Sequence, residues 1–291
     1  MPKRKANAEA NADEDLAEAE LAAAIAAAAK APADEEIGGL GDGTAMVHFE
    51  VAGGACPKQY KAGQHRGEKP LVLLYLCIRG LGETPRMMLA ECGASYTHCA
   101  SPMGEDQAVA CEWRKRSPNG LTPMMSGVGV LRAQPLSQSG TIVRYLAQRY
   151  GMAGGDELDG ARADCLYQTV KDLSSKKSEI TGGAEETIEG SKGPAATATS
   201  IVAMLEAMPD PADAGAALNY GQIELLNVLL DCEETTEGCV KALSPRLETF
   251  RKAGASRPRL AKYLSSPLRF PAIAPGYRYR DVPLKRSAFK M

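Results

Sequence analysis

The chain has 291 residues and a formal net charge of −2, which allows one large or two ordinary domains and argues against a whole-molecule nucleic-acid binder. No apolar run approaches the roughly 18 residues of a membrane span, so no membrane partner is expected. The eight cysteines make no CxxC or zinc-type Cys/His spacing, so no metal is expected and reduced thiols in the cytoplasm are the plain reading.

Residues 1–67 read as a low-complexity, flexible extension. It is basic at MPKRKA, then rich in Ala, Glu and Asp, with too few large side chains to anchor a helix face. Within it Met46–Val51 is a short strand-like run. The rest of the chain is organised around the stretch LVLLYLCIRGLGETPRMML, residues 71–89. It opens as an unbroken apolar run, the pattern of a strand covered on both faces. Arg79-Gly80-Leu81-Gly82 breaks the strand, and a helix starts with Glu83 near its positive end and Pro85 in its first turn. Tyr75 therefore sits at a strand end just ahead of a helix N-terminus, a place that favours an anion and sets a phenolic donor beside it.

Ser95–Cys99 reads as a second strand, 104–116 as loop with a short helix, and a third strand begins at Leu121. A hairpin continues through Val128–Ala133, and Gln138-Ser139-Gly140 opens a helix with Ile142, Tyr145, Leu146 and Tyr150 on one face. The order βαβ then ββα predicts a small mixed sheet with helices on its faces over 68–151. From 156 to 270 the signals are helical: Asp159–Ser175, Ser200–Met208, Leu218–Leu230, Pro245–Ala253 and Pro258–Leu264. Asn219 and Gln222 stand at capping-box spacing before the most apolar of these. Residues 271–291 form a basic tail, for which a solvated segment is the plain reading.

In this order and spacing, five features resemble the soluble glutathione transferases, closest to the sigma-type pattern shared with glutathione-dependent prostaglandin D synthases and S-crystallins. Tyr75-Leu76-Cys77-Ile78-Arg79-Gly80 followed by Gly82-Glu83 matches the family's Tyr-Phe-x-x-Arg-Gly-Arg-Ala-Glu. Leu121-Thr122-Pro123 falls in the slot of the family's cis-proline, Gln138-Ser139 leads into an IVRYLA run, and Ala163-Asp164 and Leu218-Asn219-Tyr220 match two helices.

The resemblance implies an α/β thioredoxin-like N-terminal domain joined to an all-α domain, acting as a homodimer with glutathione as co-substrate and no metal. It implies that Tyr75 stabilises the thiolate and Arg79 supports Tyr75. Thr122 and Pro123 would pair with the tripeptide backbone, and Gln138 and Ser139 would hold the γ-glutamyl carboxylate. Asp164 would reach the γ-glutamyl amine across a dimer interface, and Trp113 with Lys115 or Arg116 (Arg114 being a third basic candidate) would take the glycyl end. The reaction expected is conjugation of the thiolate to small hydrophobic electrophiles lying against Tyr75 and the inner helices.

A free thiol of pKa about 8.5 must be lowered by about 2 units, roughly 2.7 kcal/mol. One hydrogen bond to the anion supplies on the order of 1.5–3 kcal/mol, so one phenol suffices. The alternatives are a non-catalytic binding or structural protein acting through its terminal extensions, a glutathione-dependent isomerase or peroxidase, and a thiol transferase using Cys77.

Overall fold

The computed structural model describes residues 47–52, 56–60, 71–101, 117–126, 135–182, 193–270 and 287–290. Strands β1 (Val47–Ala52), β2 (Leu71–Leu76), β3 (Tyr96–Ser101), β4 (Met124–Ser126), β5 (Leu136–Ser137) and β6 (Ser287–Lys290) form one sheet in the order β5-β4-β2-β3-β1-β6. As its apolar run predicts, β2 is covered on both faces. Leu71 and Leu73 enter the main core, while Val72 packs with Cys99 and Met124 on the other side.

Helix α1 (Glu83–Cys92) crosses from β2 to β3, which run parallel, as parallel neighbours require of their connection. β4 pairs antiparallel with β2, and β5 with β4. Helix α2 (Ser139–Tyr150) then buries Ile142, Val143, Leu146 and Ala147 in the core. This is the expected thioredoxin-like half. The third strand starts at Met124 and not at Leu121, because Pro123 has no N–H to give the ladder; the Thr122–Pro123 peptide is cis.

The second half is helical: α3 (Glu157–Ser175), α4 (Lys177–Gly182), α5 (Pro194–Leu205), α6 (Tyr220–Thr235), α7 (Cys239–Leu243), α8 (Pro245–Ala255) and α9 (Pro258–Leu264). Two of these start earlier than expected. Asp156 caps α3 by accepting from the Asp159 N–H at 2.8 Å, and α5 opens on Pro194, where a missing N–H costs nothing. The capping box on α6 is complete: Asn219 Oδ1 accepts from Gln222 N–H (3.0 Å) and Gln222 Oε1 from Asn219 N–H (3.1 Å). Helix α6 is buried without a break from Tyr220 to Leu230, so it is the axis of this half. Gly221 permits its approach to α3, since a Cβ there would lie 2.6 Å from the Ala163 carbonyl oxygen.

Both ends depart from expectation. Part of the extension expected to be flexible over 1–67 belongs to the fold: β1 pairs antiparallel with β3. Tyr60 is buried, donates to Glu91 (3.0 Å) and accepts from the Leu218 N–H (3.0 Å). The basic tail returns as β6, parallel to β1. Residues 1–46 lie outside the described residues. Among the described residues no helix is long and apolar enough to cross a membrane.

Candidate active site

The sheet register gathers the first group of predicted residues. Leu74 pairs with Met124, and Met124 with Ser137. One residue further along, Tyr75, Pro123 and Gln138 occupy one row across β2, β4 and β5, at the end of the sheet where α1 and α2 begin. Pro123 is buried and Thr122 half-buried.

Tyr75 is 6% exposed, and its ring lies under the turn after β2. Two glycines make that possible. A Cβ on Gly82 would sit 2.4 Å from Tyr75 Cδ1, and one on Gly80 would sit 2.6 Å from its Oη. Tyr75 Oη accepts a hydrogen bond from the Leu81 N–H at 3.1 Å, which fixes the oxygen and leaves its own proton to be donated. Burial pushes the phenol's pKa up, partly offset by that N–H and by the charge of Arg86, so Tyr75 stands as a neutral donor. Leu81, at the tip of the turn, is 51% exposed.

Arg79 does not point at Tyr75. Its Nε donates to the Phe270 carbonyl (2.6 Å), and its Nη1 meets Asp231 (2.9 Å) and Glu234 (2.5 Å) on α6. The arginine whose charge acts on Tyr75 is Arg86, one of the residues missed in the sequence. Arg86 is fully buried and pairs with Glu83 (2.8 Å), also fully buried. It holds the turn by donating to the carbonyls of Ile78 (2.7 Å) and Arg79 (3.0 Å). Its Nη1 lies 3.0 Å from His98 Nε2, and His98 Nδ1 lies 3.0 Å from the Leu73 carbonyl. An arginine only donates, so this histidine must accept at Nε2 and carry its proton on Nδ1. Tyr263 completes the group, donating to Glu83 at 3.0 Å. The available signal was Glu83 and Arg86 three apart in a helix that begins inside the core.

At the start of α2, Gln138 has φ +71°, a left-handed conformation costly for a residue with a Cβ. It is exposed, and its side chain makes no capping bond to α2. Burial pushes the Tyr167 pKa up while Ser139 acts to lower it, and Arg144 lies over the Tyr167 ring at 5.4 Å. Arg144 in turn pairs with Asp164 through Nε (2.8 Å) and Nη2 (2.7 Å), while Tyr220 donates to the same carboxylate (2.8 Å). Ser139 and Asp164 thus belong to one polar patch of a single chain. Trp113, Lys115 and Arg116 lie outside the described residues. Cys77 is fully buried, which denies it the access a thiol transferase needs.

The seam between the halves is polar. Glu224, Asn227, Asp231 and Glu234 follow one another at spacings of three, four and three along α6, one stripe facing the 79–84 turn. Thr84 donates to Glu224 (2.5 Å) and Asn227 to Thr84 (3.1 Å). From α3 and α4, Lys171 pairs with Glu224 (2.5 Å) and Lys177 with Asp231 (2.6 Å). Because α6 is buried all round, its apolar pattern hid this stripe. A separate hollow of about 690 Å³ beside Met152, Met208 and Asn219 shares no lining residue with this site, and its Asp159 and Arg162 are spent on each other.

No family model matches the chain. It is 24% identical over 209 residues to glutathione S-transferase P of Pongo abelii, covering 68% of this chain and 93% of that protein. To glutathione S-transferase 1 of Ascaris suum it is 30% identical over 108 residues, 36% of this chain and 47% of the relative, so that match spans about half the relative's length. The crystal structure of the glutathione S-transferase from Ascaris lumbricoides superposes with a TM-score of 0.54 at 18% identity, covering 67% of this chain and 96% of that one. In sequence the chain is thus similar to glutathione S-transferases, and in fold it is similar to their solved structures.

Proposed function

We propose that the chain conjugates glutathione to small electrophiles by the sigma-type arrangement, with the Tyr75 phenol donating to the thiolate. The observation that carries this reading is the hydrogen bond from the Leu81 N–H to Tyr75 Oη. It fixes the oxygen and occupies one lone pair, so the hydroxyl proton is directed to an external acceptor. That proton lies at the start of α1, whose N-terminal dipole favours the same anion. The cis-proline row would align the tripeptide backbone through Thr122, and Gln138 and Ser139 would take its γ-glutamyl carboxylate at the start of α2. Asp164, already held by Arg144 and Tyr220, would take the γ-glutamyl amine. Assembly as a cytoplasmic homodimer is part of the same reading.

The sulfur must be an anion at neutral pH, when a free thiol is ionised by only a few per cent. A neutral phenol suits the task because it stabilises the thiolate without removing the proton itself. The test is conjugation of a neutral chlorodinitroarene followed against pH in the native chain and in Tyr75→Phe. Losing one hydrogen bond to a charged group, on the order of 1.5–3 kcal/mol, predicts a rate about 10- to 100-fold lower. The bound thiol's pKa should rise by about 1 to 2 units, with glutathione affinity kept. An unchanged pH profile in Tyr75→Phe would overturn the assignment.

A further inference from the structure

The hydrogen bond that fixes Tyr75 belongs to a closed ring of contacts, and His98 is the member that ties this ring to the sheet. His98 lies on β3, fully buried, opposite Leu73 in the register with β2. Its Nδ1 lies 3.0 Å from the Leu73 carbonyl, two residues before Tyr75, and its Nε2 lies 3.0 Å from Arg86 Nη1. Arg86 meets Glu83 with its other edge, through Nε (3.0 Å) and Nη2 (2.8 Å). The same Nη2 donates to the Ile78 and Arg79 carbonyls, and the Arg79 carbonyl also accepts from the Gly82 N–H at 3.2 Å. The turn so closed presents the Leu81 N–H to Tyr75 Oη, which brings the ring back to β2. Phe270 seals the pair, with its ring 5.6 Å from that of His98 in a T-shaped contact and 5.0 Å from the Arg86 guanidinium.

Resting on the conjugation reading above, we infer that His98 is a positioning residue for that reaction, holding Arg86 so that the turn keeps the Leu81 N–H on Tyr75 Oη. Glu83 cannot do this alone. It stands three residues from Arg86 on the same helix, so their pair orients the guanidinium relative to α1 and not relative to the strand that carries the phenol. His98 supplies that second reference, because it grips Arg86 and the backbone of β2 at once. The task needs a side chain that donates to a carbonyl and accepts from an arginine. A carboxylate cannot donate and a lysine cannot accept, whereas a neutral imidazole does both on one rigid ring. His98 touches neither the sulfur nor the phenol in this account and acts only through Arg86 and the turn.

The test is a double-mutant cycle on the full chain with glutathione and a neutral chlorodinitroarene, reading kcat/KM and the pKa of the bound thiol from the pH profile. His98→Phe keeps a ring against Phe270 and loses both nitrogens. It should lower the rate about tenfold and raise the bound thiol's pKa by roughly 1 unit, the effect of one weakened hydrogen bond. His98→Gln gives up the ring but offers an acceptor and a donor, and should recover most of both. Added to Tyr75→Phe, His98→Phe should lower the rate by less than about twofold more, because no phenol is left to position. A general disturbance of the fold would instead multiply the two losses and leave the thiol pKa where it was. Losses that multiply, or a folded His98→Phe with the native pH profile, overturn this inference alone. Should His98→Phe not fold, His98→Met takes its place in the same cycle, filling the space with a flexible side chain that is at best a weak acceptor. A native chain that does not conjugate, or a Tyr75→Phe variant that conjugates like the native chain, overturns the conjugation reading, and the inference falls with it.

Discussion

Two arginines seven residues apart in sequence do opposite work, and they divide the molecule into a floor and a seam. Arg86 points into the thioredoxin-like half, where no water reaches it, and holds the turn over Tyr75 through the carbonyls of Ile78 and Arg79 while it meets Glu83 and His98. Arg79 points out of the same turn, across to Asp231 and Glu234 of the helical half. The floor is fastened by Arg86, with Arg269 reaching Glu83 only at 3.7 Å. The seam has redundant charges, since Asp231 also holds Lys177, and Glu234 also meets Arg269. A fixed phenol needs an unshared floor, whereas docking two halves tolerates shared partners. Breaking each arginine in turn should therefore cost very different amounts.

The largest effect is expected in the floor. Arg86→Met leaves the Glu83 carboxylate buried with the Tyr263 hydroxyl and the more distant Arg269 (3.7 Å) as its partners, and takes the donor from His98 Nε2. Removing one partner of a buried ion pair costs about 3–5 kcal/mol, which urea unfolding would read directly. Adding Glu83→Gln should recover part of that loss, because the uncompensated charge goes with it. A loss below about 1 kcal/mol for Arg86→Met would mean that the floor is as redundant as the seam.

That contrast also marks what the sequence could tell. The buried strand, the turn and the start of α1 were legible because an unbroken apolar run, two glycines and a first-turn proline each have one simple structural solution. Tyr75 was placed correctly at the strand's end for the same reason. Where the Arg79 guanidinium goes was not legible, because sequence position fixes where an arginine starts and not where its long, freely rotating stem takes it. His98 was read as an ordinary strand residue, since a lone histidine carries no sign of the arginine that meets it from another element. The stripe Glu224–Asn227–Asp231–Glu234 was periodic and could have been found, but it was masked by a helix buried on every side. β6 could not be anticipated: its partner lies more than 230 residues away and its four residues show no strand pattern.

The next effect tests how closely the floor is fitted to the phenol. Gly82→Ala places a Cβ 2.4 Å from Tyr75 Cδ1, so the ring or the turn must shift. Overpacking of this kind costs about 1–3 kcal/mol. Displacing Oη from the Leu81 N–H should also lower the conjugation rate by roughly tenfold, given that one hydrogen bond is worth about 1 kcal/mol or somewhat more. Full activity and full stability together would show that Tyr75 does not depend on the glycine pair.

In the seam, Arg79→Gln should cost only about 1–2 kcal/mol, because Lys177 and Arg269 remain on the carboxylates it leaves and glutamine can still donate. Its signature is a changed docking of the halves more than a changed melting curve. Faster proteolysis after residue 151, with glutathione affinity retained, is the expected pattern. Should Arg79→Gln match Arg86→Met in stability loss, the seam is not redundant and the comparison fails.

The smallest effect is expected from an ion pair that belongs to neither region and so calibrates both. On α8, Glu248 accepts from Arg251 at 2.8 Å through each carboxylate oxygen and also meets Lys252 at 3.1 Å. The Arg251 hydrogen bonds, opposed by burial and helped by Lys252, bring the Glu248 pKa down from 4.5 to about 2. The folded value lies below the unfolded one, so this carboxylate contributes stability above pH about 4.5, and the contribution is lost as pH falls toward about 2. Lys252 is largely exposed and solvent screens the group, so Glu248→Gln should cost about 1 kcal/mol or less at pH 7. The native chain and the variant should converge in stability between about pH 4.5 and 2, read by urea unfolding at fixed ionic strength. A gap that stays constant down to about pH 2 would show that glutamine disturbs helix packing and that the charge contributes nothing. The α8 value could not then serve as the unit against which Arg79 and Arg86 are weighed.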